Sequence, residues 1–330
     1  MHNRRSALAG LAAATATLAG WIPAARAQAW PSHPLTLVVG FPPGGAPDIV
    51  ARALADAFAP ALGQPLVVDN RIGAAGTIAA AYVARAPADG YTLMMGLAAN
   101  MTTGPLLLPS AKYDPVTAFA PIGFIQRSAY YLIVRSDSPF KDCAALIEQA
   151  RKNPGTVTLG VPGLGTPHHL VAELLMKSAG VRMNLIPYRG TPEGVNELLG
   201  ARLDVYLDLA SSAVESQAKA GALRYLAMSG SKRASTQPSV PTFAEAGIPG
   251  VDAYSWFGLV APAGTPPEVV KRLAAALDAS LKNPQVRERL LKEGIPPEGI
   301  APGTPEELRA WVASERERWG RIIKEADIRL

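Results

Sequence analysis

The chain of 330 residues is poor in the groups from which active sites are most often made. It has one cysteine, Cys143, so it can form no internal disulfide and no multi-cysteine metal site. Its histidines are His2, His33, His168 and His169. The last two are adjacent, so on a helix they point to different faces and cannot chelate one metal together. There is no Gly-x-Ser-x-Gly elbow, no His-Glu-x-x-His pair, and no Gly-Lys-Ser/Thr behind a glycine turn. These absences weigh against a serine hydrolase, a zinc protease and a phosphate loop. Aromatic residues make up 6% of the chain and are not interleaved with basic runs, so nucleic acid is not an expected partner. Beyond the N-terminus no clean run of eighteen apolar residues occurs, and nothing there reads as a membrane span.

The N-terminus reads as an export signal. "MHNRR" is basic, "SALAGLAAATATLAGWI" is apolar and short, and "ARA" at 25–27 fits a small-x-small cleavage site. Cleavage near Ala27 is expected to leave an exported protein. Arg4-Arg5 is compatible with twin-arginine export and equally with an ordinary basic n-region. Removing residues 1–27 takes away three arginines and no acid, so Lys+Arg falls from 32 to 29 against 27 acids. The mature chain is therefore nearly neutral. With 48% apolar residues and 18% charged ones, it is globular and long enough for two domains.

Apolar runs alternate with helical patterns. The runs are "LTLVVGF" (35–41), "LVVD" (66–69), "YTLMMGL" (91–97), "YYLIVR" (130–135), "VTLGV" (157–161), "NLIPY" (184–188), "LDVYLD" (203–208), "LRYLAM" (223–228) and "FGLVAP" (257–262). Strands apolar on both faces and separated by helices predict an α/β protein with mostly parallel sheets, covered on both sides. Ligands of such sheets sit beyond the carboxyl ends of the strands. Thr-Pro pairs at 166–167, 191–192, 265–266 and 304–305 predict helix starts, and Thr265/Glu268 and Thr304/Glu307 add capping boxes. Chain crossings between two lobes are expected near 128 and 254.

Glycine turns carry the candidate site. "FPPGGAPD" places Phe41, Gly44, Gly45, Ala46 and Asp48 between a strand and a helix start. Free N–H groups and the helix dipole there favour an anion. Asp48 is an acid at that entrance, and acids are also favourable in any first helical turn. "GVPGLGTPHHL" repeats the device with Gly163, Gly165, Thr166 and His169. "PYRGTPEGV" does so with Tyr188, Arg189, Gly190 and Thr191, where Arg189 could clamp a carboxylate or lie on the surface. Asn100 follows one strand, and Asp208, with Ser211 and Ser212, follows another. Such polar strand ends suit a binding site or a helix cap. Glycine helix starts with few titratable groups suit holding an anion better than transforming it.

In order along the chain, "FPPGGAPDIVARAL", "VVDNRIGAAGTIAAAYVARAPADGYTL", "YDPVTAFAPIG", "GLGTPHHLVAELL", "PYRGTPEGVNELLGARLDVYLD" and "WFGLVAPAGTP" resemble the TctC/Bug family of periplasmic solute-binding proteins of tripartite tricarboxylate transporters. Ala46-Pro47 departs from the Thr or Ser common before the acid, and Ala80 replaces a frequent glycine. The resemblance implies a type II, two-lobed fold, with residues 28–128 and 255–330 in one lobe and 129–254 in the other. It implies that turns 41–48 and 160–166 grip a ligand carboxylate through backbone amides and water. The far end of the ligand would meet 188–191, Asp208 and Asn100. The expected function is capture of a small organic carboxylate by a monomer, without cofactor or metal, and delivery to transporter membrane subunits. Presentation to a periplasmic signalling partner is the alternative. An exported hydrolase or lyase using Asp48, Asp208 or His169 is a further rival, disfavoured by the sparse catalytic inventory.

Overall fold

A computed structural model describes residues 30–109, 111–300 and 303–325. The expected signal segment lies outside the described residues. From His33 onward every apolar run named above is a strand. The first half of the sheet is built from β1 (Leu35–Val39), β2 (Leu66–Asn70) and β3 (Thr92–Leu97). β1 lies between β2 and β3, and both pairings are parallel. Helices α1 (Ala46–Leu62) and α2 (Thr77–Val83) make the crossovers, and α3 (Gly104–Leu107) follows a π-helical turn at Ala99–Thr103.

The second half repeats the plan. β5 (Thr158–Val161) lies between β6 (Asn184–Pro187) and β7 (Val205–Leu209), again in parallel. Helices α4 (Cys143–Lys152), α5 (Pro167–Ala179), α6 (Thr191–Leu199) and α7 (Ser212–Lys219) cover it, with β8 (Leu223–Met228) after α7.

Two antiparallel strands join the halves. β4 runs from Phe119 to Arg135, and β9 from Tyr254 to Pro262. β4 pairs with β9 over Phe119–Ala129, then changes partners to β7 and β8 from Tyr130 onward. β9 also pairs with β3, so the antiparallel pairs gather where the chain crosses. A strand that serves both halves cannot be reached by a βαβ crossover on each side, and its neighbours turn antiparallel. β4 starts well before the "YYLIVR" run because "FAPIGFIQRSA" hides its strand character. Pro121 and Gly123 fall at a register shift, and Gln126 at another.

Three helices close the structure: α8 (Pro267–Lys282), α9 (Pro284–Lys292) and α10 (Pro305–Glu325). Leu308 and Val312 of α10 enter a core with Val38, Phe124 and Trp256. Trp319, two turns on, enters a second core with Tyr130, Leu159, Leu170 and Val205. α10 thus buries one stripe against both halves.

The Thr-Pro helix starts divide. Thr166 caps α5 by accepting from the His169 N–H, and Thr304 and Glu307 form a reciprocal capping box at 2.8 and 3.1 Å. Thr191 does not cap α6; Gly190, in extended conformation, takes the N-cap position. Thr265 does not cap α8 either. The Pro266-Pro267 pair moves the first helical position to Pro267, and the Thr265 hydroxyl donates to the Pro262 carbonyl instead. Cys143 is buried on α4, where burial first and the nearby Asp142 charge second push its thiol up to about 12. No described helix is long and apolar enough to cross a membrane.

Candidate functional site

The first glycine turn is held together by its acid. Asp48 is 2% exposed. Its Oδ2 accepts from the Gly44 N–H and from Arg52 Nε, each at 2.9 Å, and its Oδ1 accepts from Asn70 Nδ2 at 3.0 Å. Asn70 Nδ2 also reaches the Phe41 carbonyl, and Arg52 Nη2 reaches Asn70 Oδ1. Burial alone would raise the Asp48 pKa, but the Arg52, Gly44 and Asn70 hydrogen bonds outweigh it and hold the carboxyl below its ordinary range. Asp48 therefore shapes the loop, with both oxygens taken by the protein's own donors and its charge balanced by the half-exposed Arg52 guanidinium. What the turn leaves open is backbone. Among the described residues the N–H groups of Ala46 and Asp48, at the start of α1, have no acceptor. Gly45 N–H turns back to the Pro42 carbonyl. Gly44 has a φ of 79°, a conformation that suits glycine.

Asn100 sits beside this turn and is fully buried. Its Oδ1 accepts from the Leu97 N–H at 2.7 Å and its Nδ2 donates to the Met95 carbonyl at 3.2 Å. It locks the end of β3. Phe41 and Asn100 flank Gly76, where a Cβ would lie 3.1 Å from the Phe41 ring and 3.3 Å from Asn100 Cβ.

The second turn follows β5. Thr166 Oγ1 donates to the Gly163 carbonyl at 2.8 Å, and the Gly165 N–H donates to His169 Nδ1 at 3.1 Å. That bond places the proton of neutral His169 on Nε2, which lies 3.7 Å from Glu173 Oε1. The N–H groups of Thr166 and His168 have no acceptor among the described residues. The third turn lies against the second: the Tyr188 ring covers Gly160, and the Tyr188 N–H donates to the Val161 carbonyl at 2.9 Å. The Arg189 N–H donates to Glu193 Oε2, while its exposed guanidinium has no partner among the described residues. Gly190 carbonyl accepts from Tyr206 OH, and Thr191 opens α6.

Asp208 ends β7 next to these turns and is 2% exposed. Its Oδ1 accepts from the Leu209 N–H at 2.7 Å and lies 3.2 Å from His168 Nε2. The Tyr130 ring meets His168 edge-on at 5.0 Å. Neither histidine of the adjacent pair extends into solvent. His169 is the lock of the second turn, and His168 is inserted between Tyr130 and Asp208.

The structure thus forms two polar clusters, each at strand carboxyl ends. One contains Phe41, Gly44, Gly45, Ala46, Asp48 and Asn100, and the other the second and third turns with Asp208. Sequence reasoning passed over Asn70, Arg52 and His168. Asn70 carried a readable signal, since a polar residue closing an apolar strand beside a glycine turn is placed to bond it. The described residues contain no group of three or more His, Cys, Asp or Glu able to hold a metal.

Turns of this kind, rich in free amides and poor in titratable groups, suit the holding of an anion. The model of the tripartite tricarboxylate transporter family receptor, TctC, matches residues 50–328, and the chain belongs to that family. Its fold is similar to periplasmic binding protein BugD, at 35% identity and a TM-score of 0.77, covering 91% of this chain and 99% of that one. It is similar to a Rhodopseudomonas palustris protein solved with adipate, at 36% identity and a TM-score of 0.79, over 91% of this chain and 99% of that one. MatC from R. palustris, solved with bound malate, is 31% identical with a TM-score of 0.76, over 89% of this chain and all of that one.

Proposed function

We propose that this protein captures a small organic carboxylate between two lobes and delivers it to the membrane subunits of a tripartite tricarboxylate-type transporter. One observation carries the reading. The turns after β1 and β5 each end at a helix N-terminus with unpartnered N–H groups, at Ala46 and Asp48 and at Thr166 and His168, while the charges nearby are spent on each other. Such a turn takes a single carboxylate through amides and water and has no need of a lysine. Arg189, whose exposed guanidinium has no partner among the described residues, is placed on the third turn to meet a second acidic group. Ligand contacts made only when the lobes meet would favour the closed state.

The lobes are residues 28–128 with 255–330, and 129–254. This division is supported by the change of partners along β4 after Ala129 and by the start of β9 at Tyr254. The chain is exported as a monomer and cleaved near Ala27, which N-terminal sequencing from a periplasmic fraction checks by yielding Gln28. Malate and adipate, bound by relatives, are the first candidates among ligands.

The test is a thermal-shift panel of mono-, di- and tricarboxylates, aromatic acids included. A ligand at a hundred times its Kd stabilises a protein by about 2.7 kcal/mol, which a melting curve resolves. If no carboxylate raises the melting temperature, the reading fails.

A further inference from the structure

A buried polar atom without a hydrogen bond is costly, and each one in a folded chain calls for a physical reason. Among the described residues several such atoms lie on the segments at the carboxyl ends of β5 and β7. Both ring nitrogens of His168, Oδ2 of Asp208 and the hydroxyl of Ser211 are buried without a hydrogen bond. His168 Nε2 does lie 3.2 Å from Asp208 Oδ1. That approach has the distance of an ion pair but not the direction of a hydrogen bond, and Oδ1 is already held by the Leu209 N–H. The Tyr130 ring packs edge-on against His168 at an interplanar angle of 86°. Asp208 is more than nine-tenths buried and shares this corner with the first turn of α5 and with the Tyr206 hydroxyl, which donates to the Gly190 carbonyl and feels the Asp208 charge.

The chemistry of the three groups is complementary. An ionised Asp208 only accepts, a neutral imidazole has one donor and one acceptor, and a serine hydroxyl has both. A second carboxylate placed here would meet the like charge of Asp208. A hydroxyl or an ammonium group would donate to Oδ2. A hydroxyl could also accept from His168 or Ser211.

We propose that His168, Asp208 and Ser211 form a donor-recognition subsite, which selects a carboxylate carrying a hydroxyl or ammonium substituent over the same acid without it. The inference rests on the carboxylate-binding reading above and narrows its ligand class. A site built to bond a ligand hydroxyl rejects the analogue lacking it, because its own buried groups are then left unpaired.

Two matched series test it by titration calorimetry on the purified mature protein. One is succinate, L-malate and L-aspartate. The other is adipate, 2-hydroxyadipate and 2-aminoadipate. Within a series that binds, the hydroxy or amino member is expected to bind at least about tenfold tighter than the bare acid. Asp208→Asn and, separately, Ser211→Ala should shrink that ratio to less than about threefold, the ammonium preference falling most in Asp208→Asn because the charge is gone. If Asp208→Asn does not fold by circular dichroism, Ser211→Ala and His168→Asn carry the comparison. Equal affinities across a series in the unaltered protein would overturn the proposal, since they would mean that the corner holds a resident water with every ligand. So would a preference that survives all three substitutions. Binding confined to an unsubstituted acid, aromatic or aliphatic, overturns the subsite but leaves the carboxylate reading intact. Only a failure of every carboxylate in the thermal panel removes both.

Discussion

Asp48 shows how little a residue type says about its task until its partners are counted. It stands at a helix entrance whose free amides suit an anion, yet its own charge is balanced by Arg52 and directed into the loop. Asp48→Ala strands the Gly44 N–H and the Asn70 amide and frees Arg52, and should destabilise by about 2 to 3 kcal/mol in chemical denaturation. Asp48→Asn should keep the fold with a smaller loss, and should weaken ligand binding only as far as the loop loosens. Equal affinity in Asp48→Asn would confine the acid to a structural role. The pH dependence follows in sign. The folded pKa of Asp48 lies below its unfolded value, so its stabilisation is present above the unfolded pKa of about 4 and is lost as pH falls through the lower, folded value. The Asp48→Asn variant should therefore lose less stability than the parent between about pH 4 and pH 2 in acid melts. A steeper acid loss in the variant would contradict the assignment. Cys143 carries a different expectation. Its buried thiol should react with an uncharged maleimide only after denaturant is added.

At the scale of elements, periodicity was a good guide wherever one element serves one core. The strands of each parallel set, and α1 and α5, are visible as apolar runs and stripes because burial alone decides them. β4 was visible only from Tyr130, since its first part carries Gln126, Arg127 and Ser128 where the chain crosses between halves. There the polar groups find partners that sequence spacing cannot show: Ser128 Oγ donates to Gln126 Oε1, and the Arg127 guanidinium stacks on Phe124 and Trp311. The glycine turns were legible for the same reason as the caps, because local backbone chemistry names its residues. The approach of His168 to Asp208 was not, because it joins segments far apart in sequence. α10 is the element with most at stake. Trp319 brings it into the second core while Leu308 and Val312 hold it in the first. Trp319→Ala should cost about 3 to 5 kcal/mol and broaden thermal unfolding toward two transitions, as the link between the cores is cut. Glu315 beneath it donates nothing to that link but accepts from Trp319 Nε1 at 2.8 Å. Burial raises its pKa against the opposing pull of Trp319 and Arg318. The sign is the reverse of Asp48, so Glu315 favours the folded state most when protonated, and that benefit fades as pH rises through its raised folded pKa.

The whole molecule is braced across its halves by a short segment between α9 and α10. Ser235 donates to Glu298 through its N–H at 2.8 Å and its hydroxyl at 2.6 Å, and the Ser212 hydroxyl donates to Glu293. Between those contacts Gly294, at a φ of 75°, passes directly over the turn that follows β7, and a Cβ on it would lie 1.3 Å from the Ala210 carbonyl oxygen. No side chain can be added there unless the segment or the turn moves. The turn belongs to the candidate site, because Asp208 and Ser211 stand on either side of Ala210. The segment, in turn, is anchored through α9 to α1, where Arg289 meets Asp56 at 3.2 Å, and α1 begins at the first glycine turn. A continuous path of contacts therefore joins the two candidate clusters. Gly294→Ala should displace the β7 turn and shift the balance between open and closed forms. Its expected result is at least a tenfold loss of affinity for whichever carboxylate stabilises the parent, with a melting temperature in the absence of ligand that falls by less than the ligand-induced shift is reduced. Gly180, at a φ of 63° with open space around it, supplies the control. Gly180→Ala carries the same backbone strain without touching the brace, and should lower the melting temperature while leaving affinity within about twofold. Equal losses of affinity in the two variants would mean that Gly294 acts only through stability, and the mechanical connection would have to be given up.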